Sequence, residues 1–147
     1  MVDILHKVGI QAAPKEVYDA LTTIEGLSGW WTTDVTGRCD EIGGVIAFQF
    51  DLGRIDTAVR ILEPAAAVVW EVVDGPDEWL GTTISFELRQ DEEYTIVLFR
   101  HQGWAEPVEF MHHCSTKWAI FLMSLKSLIE TGTGQPGPHD VKIDNWN

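Results

Sequence analysis

Residues 107–131 sustain helical periodicity longer than any other stretch of the chain. Phe110, Met111, Cys114, Trp118, Phe121, Leu122, Leu125, Leu128 and Ile129 share an apolar arc of about 120° when successive positions are set about 100° apart. The run predicts one amphipathic helix of about six or seven turns, and a face that wide must be covered by something equally apolar.

The preceding residues supply the cover. From Thr32 to Gln102 no helical period survives, and short β-branched and aromatic runs predict strands over 33–36, 45–51, 56–62, 67–73, 82–90 and 94–102. Gly43-Gly44, Leu52-Gly53, Pro64, Gly75-Pro76 and the acidic turn after Gln90 separate them, and such short connections join antiparallel neighbours. Ile84, Phe86 and Leu88 alternate with polar residues, as do Val68, Trp70 and Val72 with their neighbours, which marks a sheet with one covered face. Upstream, Ile4, His6, Val8 and Ile10 give a first strand, Pro14 opens a short helix, and Gly26 and Gly29 restrict a second helical piece to a short turn. The pattern is that of an α+β domain. At 147 residues it forms one domain over 1–135, with 136–147 as a Gly, Pro and Asp-rich tail that Trp146 can tether.

Composition excludes several roles. The formal net charge of −13 repels phosphate backbones and anionic headgroups, which argues against nucleic acid and anionic membranes as partners. No segment approaches the roughly eighteen consecutive apolar residues of a membrane span, and the first residues lack a secretory signal, so a cytoplasmic protein is expected. Cys39 and Cys114 read as separate thiols. Asp91-Glu92-Glu93 lacks calcium-loop spacing and reads as a solvated turn.

Several motifs stand in a telling order: Ala13 to Leu21, Trp30-Trp31, Gly43-Gly44, Val69-Trp70-Glu71 after Glu63-Pro64, Trp79-Leu80-Gly81-Thr82, His101-Gln102-Gly103-Trp104, and Trp118 leading to Ser124 through Gly132. This set resembles the activator of heat shock protein 90 ATPase homologue-like family, within the START and polyketide-cyclase superfamily, over about residues 2–135. The resemblance implies a helix-grip fold, in which a strongly curved antiparallel sheet, with two short helices after its first strand, wraps around the last helix and leaves a pocket between them. It implies no single chemistry, since members bind lipids, hormones or aromatic polyketides, act as cyclases, or serve as cochaperones. The namesake cochaperone also carries an N-terminal domain for which this chain has no room.

Within such a container the seven tryptophans matter. Trp30, Trp31, Trp70, Trp79, Trp104 and Trp118 lie on different elements that converge on one core, though adjacent Trp30 and Trp31 should send only one ring inward. We take Trp30, Phe48, Trp70, Phe86, His101, Trp104, Phe110, Cys114, Trp118, Phe121 and Leu122 as the candidate ligand-binding residues, because pockets are mostly apolar with a few placed polar groups. His101 ends a strand where a cavity mouth is expected and is the one candidate for a proton shuttle; a turn-stabilising role is the plainer alternative. His112 and His113 fall outside the apolar arc, lack a partner at i, i+4 and read as solvent-facing, so no metal site is expected. His6 reads as a satisfied core histidine, and Arg60, Arg100, Glu71, Glu87 and Arg89 as residues of the convex face.

No nucleophile elbow, Walker loop or dinucleotide fingerprint is present, and no cofactor is expected. The leading expectation is a non-catalytic binding domain for a small apolar or aromatic molecule. A cyclase or hydrolase using His101 and a chaperone-associated interaction module are the alternatives, and a homodimer stays open.

Overall fold

In a computed structural model describing the whole chain, Met1–Asn147, the alternating runs become seven strands and the periodic ones three helices. The order is β1 (Val2–Ile10), α1 (Pro14–Thr22), α2 (Ile24–Trp30), β2 (Asp34–Gly37), β3 (Val45–Phe50), β4 (Gly53–Glu63), β5 (Ala67–Asp74), β6 (Thr83–Asp91), β7 (Tyr94–Trp104) and α3 (Glu109–Thr131), with a 3-10 turn at Asp77–Trp79. All seven strands form one antiparallel sheet in the order β1-β7-β6-β5-β4-β3-β2. The first strand thus closes the sheet beside the last, and β2 lies on the far edge. Register shifts between Asp56 and Thr57 and between Val59 and Ile61 insert extra residues into the β4–β5 ladder, the device by which a sheet acquires bend and twist.

The concave face grips α3, and the fold is α+β helix-grip. Cys114, Trp118, Phe121, Leu122 and Leu125 of α3 are buried against Ile4, Ile10, Phe48, Trp70, Phe86 and Phe99 of the sheet side. Gly132 ends the helix in the left-handed conformation, φ 88°, which places its N–H on the Leu128 carbonyl at 2.9 Å. His6 ties β1 to α3 through Nε2 and the Ser115 carbonyl, 3.0 Å apart. On the convex face Arg60 meets Glu71 at 3.1 Å and Arg100 meets Glu87 at 3.0 Å, in exposed pairs that add little stability.

The second helical piece is longer than the glycines suggested. Gly26 and Gly29 sit inside α2 rather than breaking it, because the two short helices cross too closely for a side chain: a Cβ on Gly26 would lie 2.5 Å from the Ala20 carbonyl oxygen. Thr23 caps α2 by accepting the Gly26 N–H at 3.0 Å. The final residues carry no helix or strand but fold back onto the domain, where Gly137 exchanges two backbone bonds with Trp31 and Thr33.

Candidate functional site

Inward parity on β3, β5, β6 and β7 brings Phe48, Trp70, Phe86 and Phe99 onto one concave surface, and α2 adds Trp30. These rings fill the middle of the sheet. Trp70 and Phe86 meet edge to face with centroids 5.2 Å apart, Phe86 and Phe99 likewise at 5.4 Å, and Trp30 closes on Phe86 at 6.1 Å. The Trp30 indole donates to the Ala20 carbonyl at 3.0 Å, so this ring is fixed by a hydrogen bond as well as by packing. Trp30 and Trp31 are both buried and stacked 5.8 Å apart, against the expectation that only one turns inward. Trp31 ends α2 and packs on Phe48, whereas Trp30 packs back toward α1, so neighbouring rings enter two parts of the core.

The open space lies at one end of this core. A cleft of about 710 Å³ is bounded by Trp31 and Asp34, by Phe50, Leu52 and Ile55 around the β3–β4 hairpin, by Asp74, Pro76 and Trp79 after β5, by Phe110, Cys114, Lys117, Trp118 and Phe121 on α3, and by Gly137, Pro138, Asp140 and Lys142 of the tail. Its floor is a run of aromatic contacts: Trp31 to Trp118 at 5.0 Å, Trp31 to Phe50 at 5.4 Å and Trp118 stacked on Trp79 at 6.0 Å. Asp51, Leu52 and Arg54 on the hairpin tip are exposed and form its rim. Burial pushes the pKa of the Cys114 thiol up to about 12, the Trp79 indole opposing the shift and the Glu78 carboxylate adding to it. Cys114 is therefore an apolar wall group rather than a nucleophile.

Of the candidates, Phe110, Cys114, Trp118 and Phe121 line the cleft. Trp30, Phe48, Trp70, Phe86, His101, Trp104 and Leu122 lie outside its lining, all buried in the core beside it. Trp31, Phe50 and Trp79 also line it, although none is in the candidate set: Trp31 and Trp79 are among the tryptophans expected to converge on the core, but the bend that sets them apart from the central rings is not legible in the sequence.

His101 departs most from expectation. Expected at a cavity mouth, it is fully buried and absent from the cleft lining, one layer behind Trp79 and Trp118. Its two nitrogens are used up: the Trp118 indole, which can only donate, gives its proton to Nδ1 at 3.1 Å, so Nε2 carries the ring proton and donates to Thr82 Oγ1 at 2.8 Å. The Thr82 hydroxyl in turn donates to the Trp79 carbonyl. Burial lowers the His101 pKa to about 3, which keeps the ring neutral. It is a buried strut that holds the Trp118 indole in place.

His113 also differs from its solvent-facing expectation. The tail covers it: Nδ1 lies 2.6 Å from an Asp144 carboxylate oxygen, and Trp146 packs edge-on at 5.4 Å. His112 stays exposed. Lys117 is the cleft residue for which the sequence offered no signal, since it falls among the polar positions of α3. It is nonetheless buried, ion-paired with Asp140 and donating to the Val141 carbonyl at 2.9 Å, while Lys142 reaches the other Asp140 oxygen at 3.2 Å. Burial raises the Asp140 pKa, but the hydrogen bonds from Lys117 and Lys142 outweigh it and hold the carboxyl below its usual range. No three His, Cys, Asp or Glu side chains gather in a group that could hold a metal ion, both cysteines are free, and no helix is long and apolar enough to cross a membrane.

Comparison with known proteins accords with this architecture. The Aha1 dimer of Colwellia psychrerythraea, solved in solution, is 46% identical over 91% of this chain and 100% of that one, with a TM-score of 0.85. CalU16 of Micromonospora echinospora shares the fold at 19% identity, covering 97% of this chain and 74% of that one with a TM-score of 0.77. DynU16, from the dynemicin biosynthetic locus, does so at 20% identity over 90% of this chain and 48% of that one, with a TM-score of 0.76. No match was found among curated proteins. The family described as activator of Hsp90 ATPase homolog 1-like protein matches residues 11–130, and the chain belongs to that family.

Proposed function

We propose that this chain is a binding domain that holds a small apolar or aromatic molecule in the cleft between the β3–β4 hairpin, the N-terminal half of α3 and the tail. The observation that carries the reading is the cleft itself: about 710 Å³ walled by Trp31, Phe50, Trp79, Phe110, Trp118 and Phe121. Ligand sites commonly span about 300 to 1,000 Å³ and are mostly apolar with a few polar groups. Flat rings bind such a wall by stacking and by removal of apolar surface from water. Titration with the neutral dye Nile red tests this: saturable one-to-one binding, displaced by aromatic competitors, is the expected result. Absence of saturable binding for the dye and for a panel of apolar ligands overturns it.

His101 gives the enzymatic alternative no support, being absent from the cleft lining and hydrogen-bonded through both ring nitrogens. One observation favours an assembly: the Colwellia relative is described as a dimer. We propose the same state for this chain, to be read by light scattering at several concentrations; a single monomeric mass throughout rejects it. A chaperone partner has only the family description behind it, and stimulation of a chaperone ATPase by the purified chain is its test.

A further inference from the structure

Every wall of the cleft but one is built from the sheet, the helices or their tight connections. The exception is the segment after Gly132, which contributes Gly137, Pro138, Asp140 and Lys142 to the lining yet contains neither helix nor strand. It lies beyond the residues matched by the family, which end at 130. Segments with few buried apolar side chains open locally at a fraction of the free energy needed to unfold a domain.

Only Gly137 and Asp140 of this segment are buried, and what holds it down is mostly polar, including the Ser127 hydroxyl on the Thr133 carbonyl at 2.6 Å and Lys117 on the Val141 carbonyl at 2.9 Å. At its start the Gln135 N–H donates to Ser124 Oγ at 2.7 Å, and Gly137 bonds the backbone of Trp31 and Thr33 at 2.8 and 2.9 Å. At its end Asp144 pairs with His113, and Trp146 packs on both His113 and Phe110. Between these points the chief anchor is electrostatic: Asp140, 6% exposed, is inserted between Lys117 of α3 and Lys142. An ion pair so placed adds little against an apolar alternative, but removing one partner leaves a buried charge and is strongly destabilising. A pair of this kind is near neutral in strength while intact and decisive when broken.

We propose that residues 132–147 are a strap that closes the cleft, locked by the Lys117–Asp140 pair, and that a ligand enters and leaves when the strap undocks. This rests on the binding reading above for the ligand and on the packing alone for the strap. Asp140 and Lys117 are on this account positioning residues, acting on the ligand through the wall they hold in place.

Two variants of the full chain test it by different physics. Asp140→Asn removes the charge that pairs with Lys117. Gly134→Ala leaves the charges alone but places a Cβ 2.2 Å from the Gly29 carbonyl oxygen, which levers the strap off α2. Hydrogen exchange without ligand is expected to speed up on the order of a hundredfold across 134–147 in both variants, while β4 to β7 and α3 exchange as in the parent. Nile red association and dissociation rates are expected to rise together, by at least about tenfold, with a smaller change in affinity. Unchanged exchange in the strap, or an equal rise in strap and sheet, overturns the lock. A freed strap with unaltered Nile red rates overturns the gate while leaving the binding reading intact. Failure of Nile red to bind the parent chain removes the binding reading and the gate with it, and exchange alone then decides the lock.

Discussion

The middle of the sheet and its β3–β4 end are built from the same kinds of residue and differ in what they enclose. Around Trp70, Phe86 and Phe99, rings meet at centroid distances of 5.2 and 5.4 Å. Around Trp31, Trp79 and Trp118 the rings also touch one another, but across from them stand a hairpin tip and a strap instead of another layer of strands. Aromatic content sets how apolar a region is; the number of layers that close on it decides whether it is solid or hollow. Trp118 belongs to both regions, bonded to His101 on the solid side and stacked on Trp79 on the hollow side.

Core truncation is the strongest way to break this contrast. Phe86→Ala, in the solid part, is expected to cost about 3 to 5 kcal/mol, a fall of about 6 to 20 °C in Tm for a domain of this size. Calorimetry or denaturant titration measures it, and a loss below about 1 kcal/mol means the middle is not close-packed. Acid comes next. The imidazole of His101 takes a proton near 6.5 when unfolded but only near 3 when folded. Between those values the unfolded chain holds the extra proton, so the contribution is whole above about pH 6.5 and is lost as pH falls toward 3, on the order of 5 kcal/mol in all. His101→Asn is expected to flatten that part of the stability profile; an identical slope in parent and variant refutes the buried neutral ring. At the hollow end Phe50→Ala should cost only about 1 to 2 kcal/mol, because the half-buried ring faces open space on one side. A loss as large as that of Phe86→Ala erases the distinction. On the convex face Arg60→Ala should stay within about 0.5 kcal/mol despite breaking its pair with Glu71.

Period told more than residue type. The long helix and the inward faces of β5 and β6 were legible because a helical arc and a two-residue alternation each allow one orientation. Cys114 and Trp118, which lie on that arc, are buried. Features made by chain return were not legible. His113 and Lys117 lie on polar positions of α3, and the strap, arriving with Asp140, Asp144 and Trp146, covers them. Gly26 read as a helix breaker because its reason, the close crossing of α1 and α2, is tertiary. His101 was misplaced for a related cause: sequence position put it near the end of β7, but its environment is set by Thr82 of a neighbouring strand connection and Trp118 of the last helix.

The tryptophan indoles offer the most direct test of where a ligand sits. In a proton–nitrogen correlation spectrum of the labelled chain, addition of an apolar aromatic ligand should move the Nε1 signals of Trp31, Trp79 and Trp118. Those of Trp30, Trp70 and Trp104 should stay close to their positions. Shifts confined to the second group, or none at saturating ligand, contradict a binding site at the hollow end.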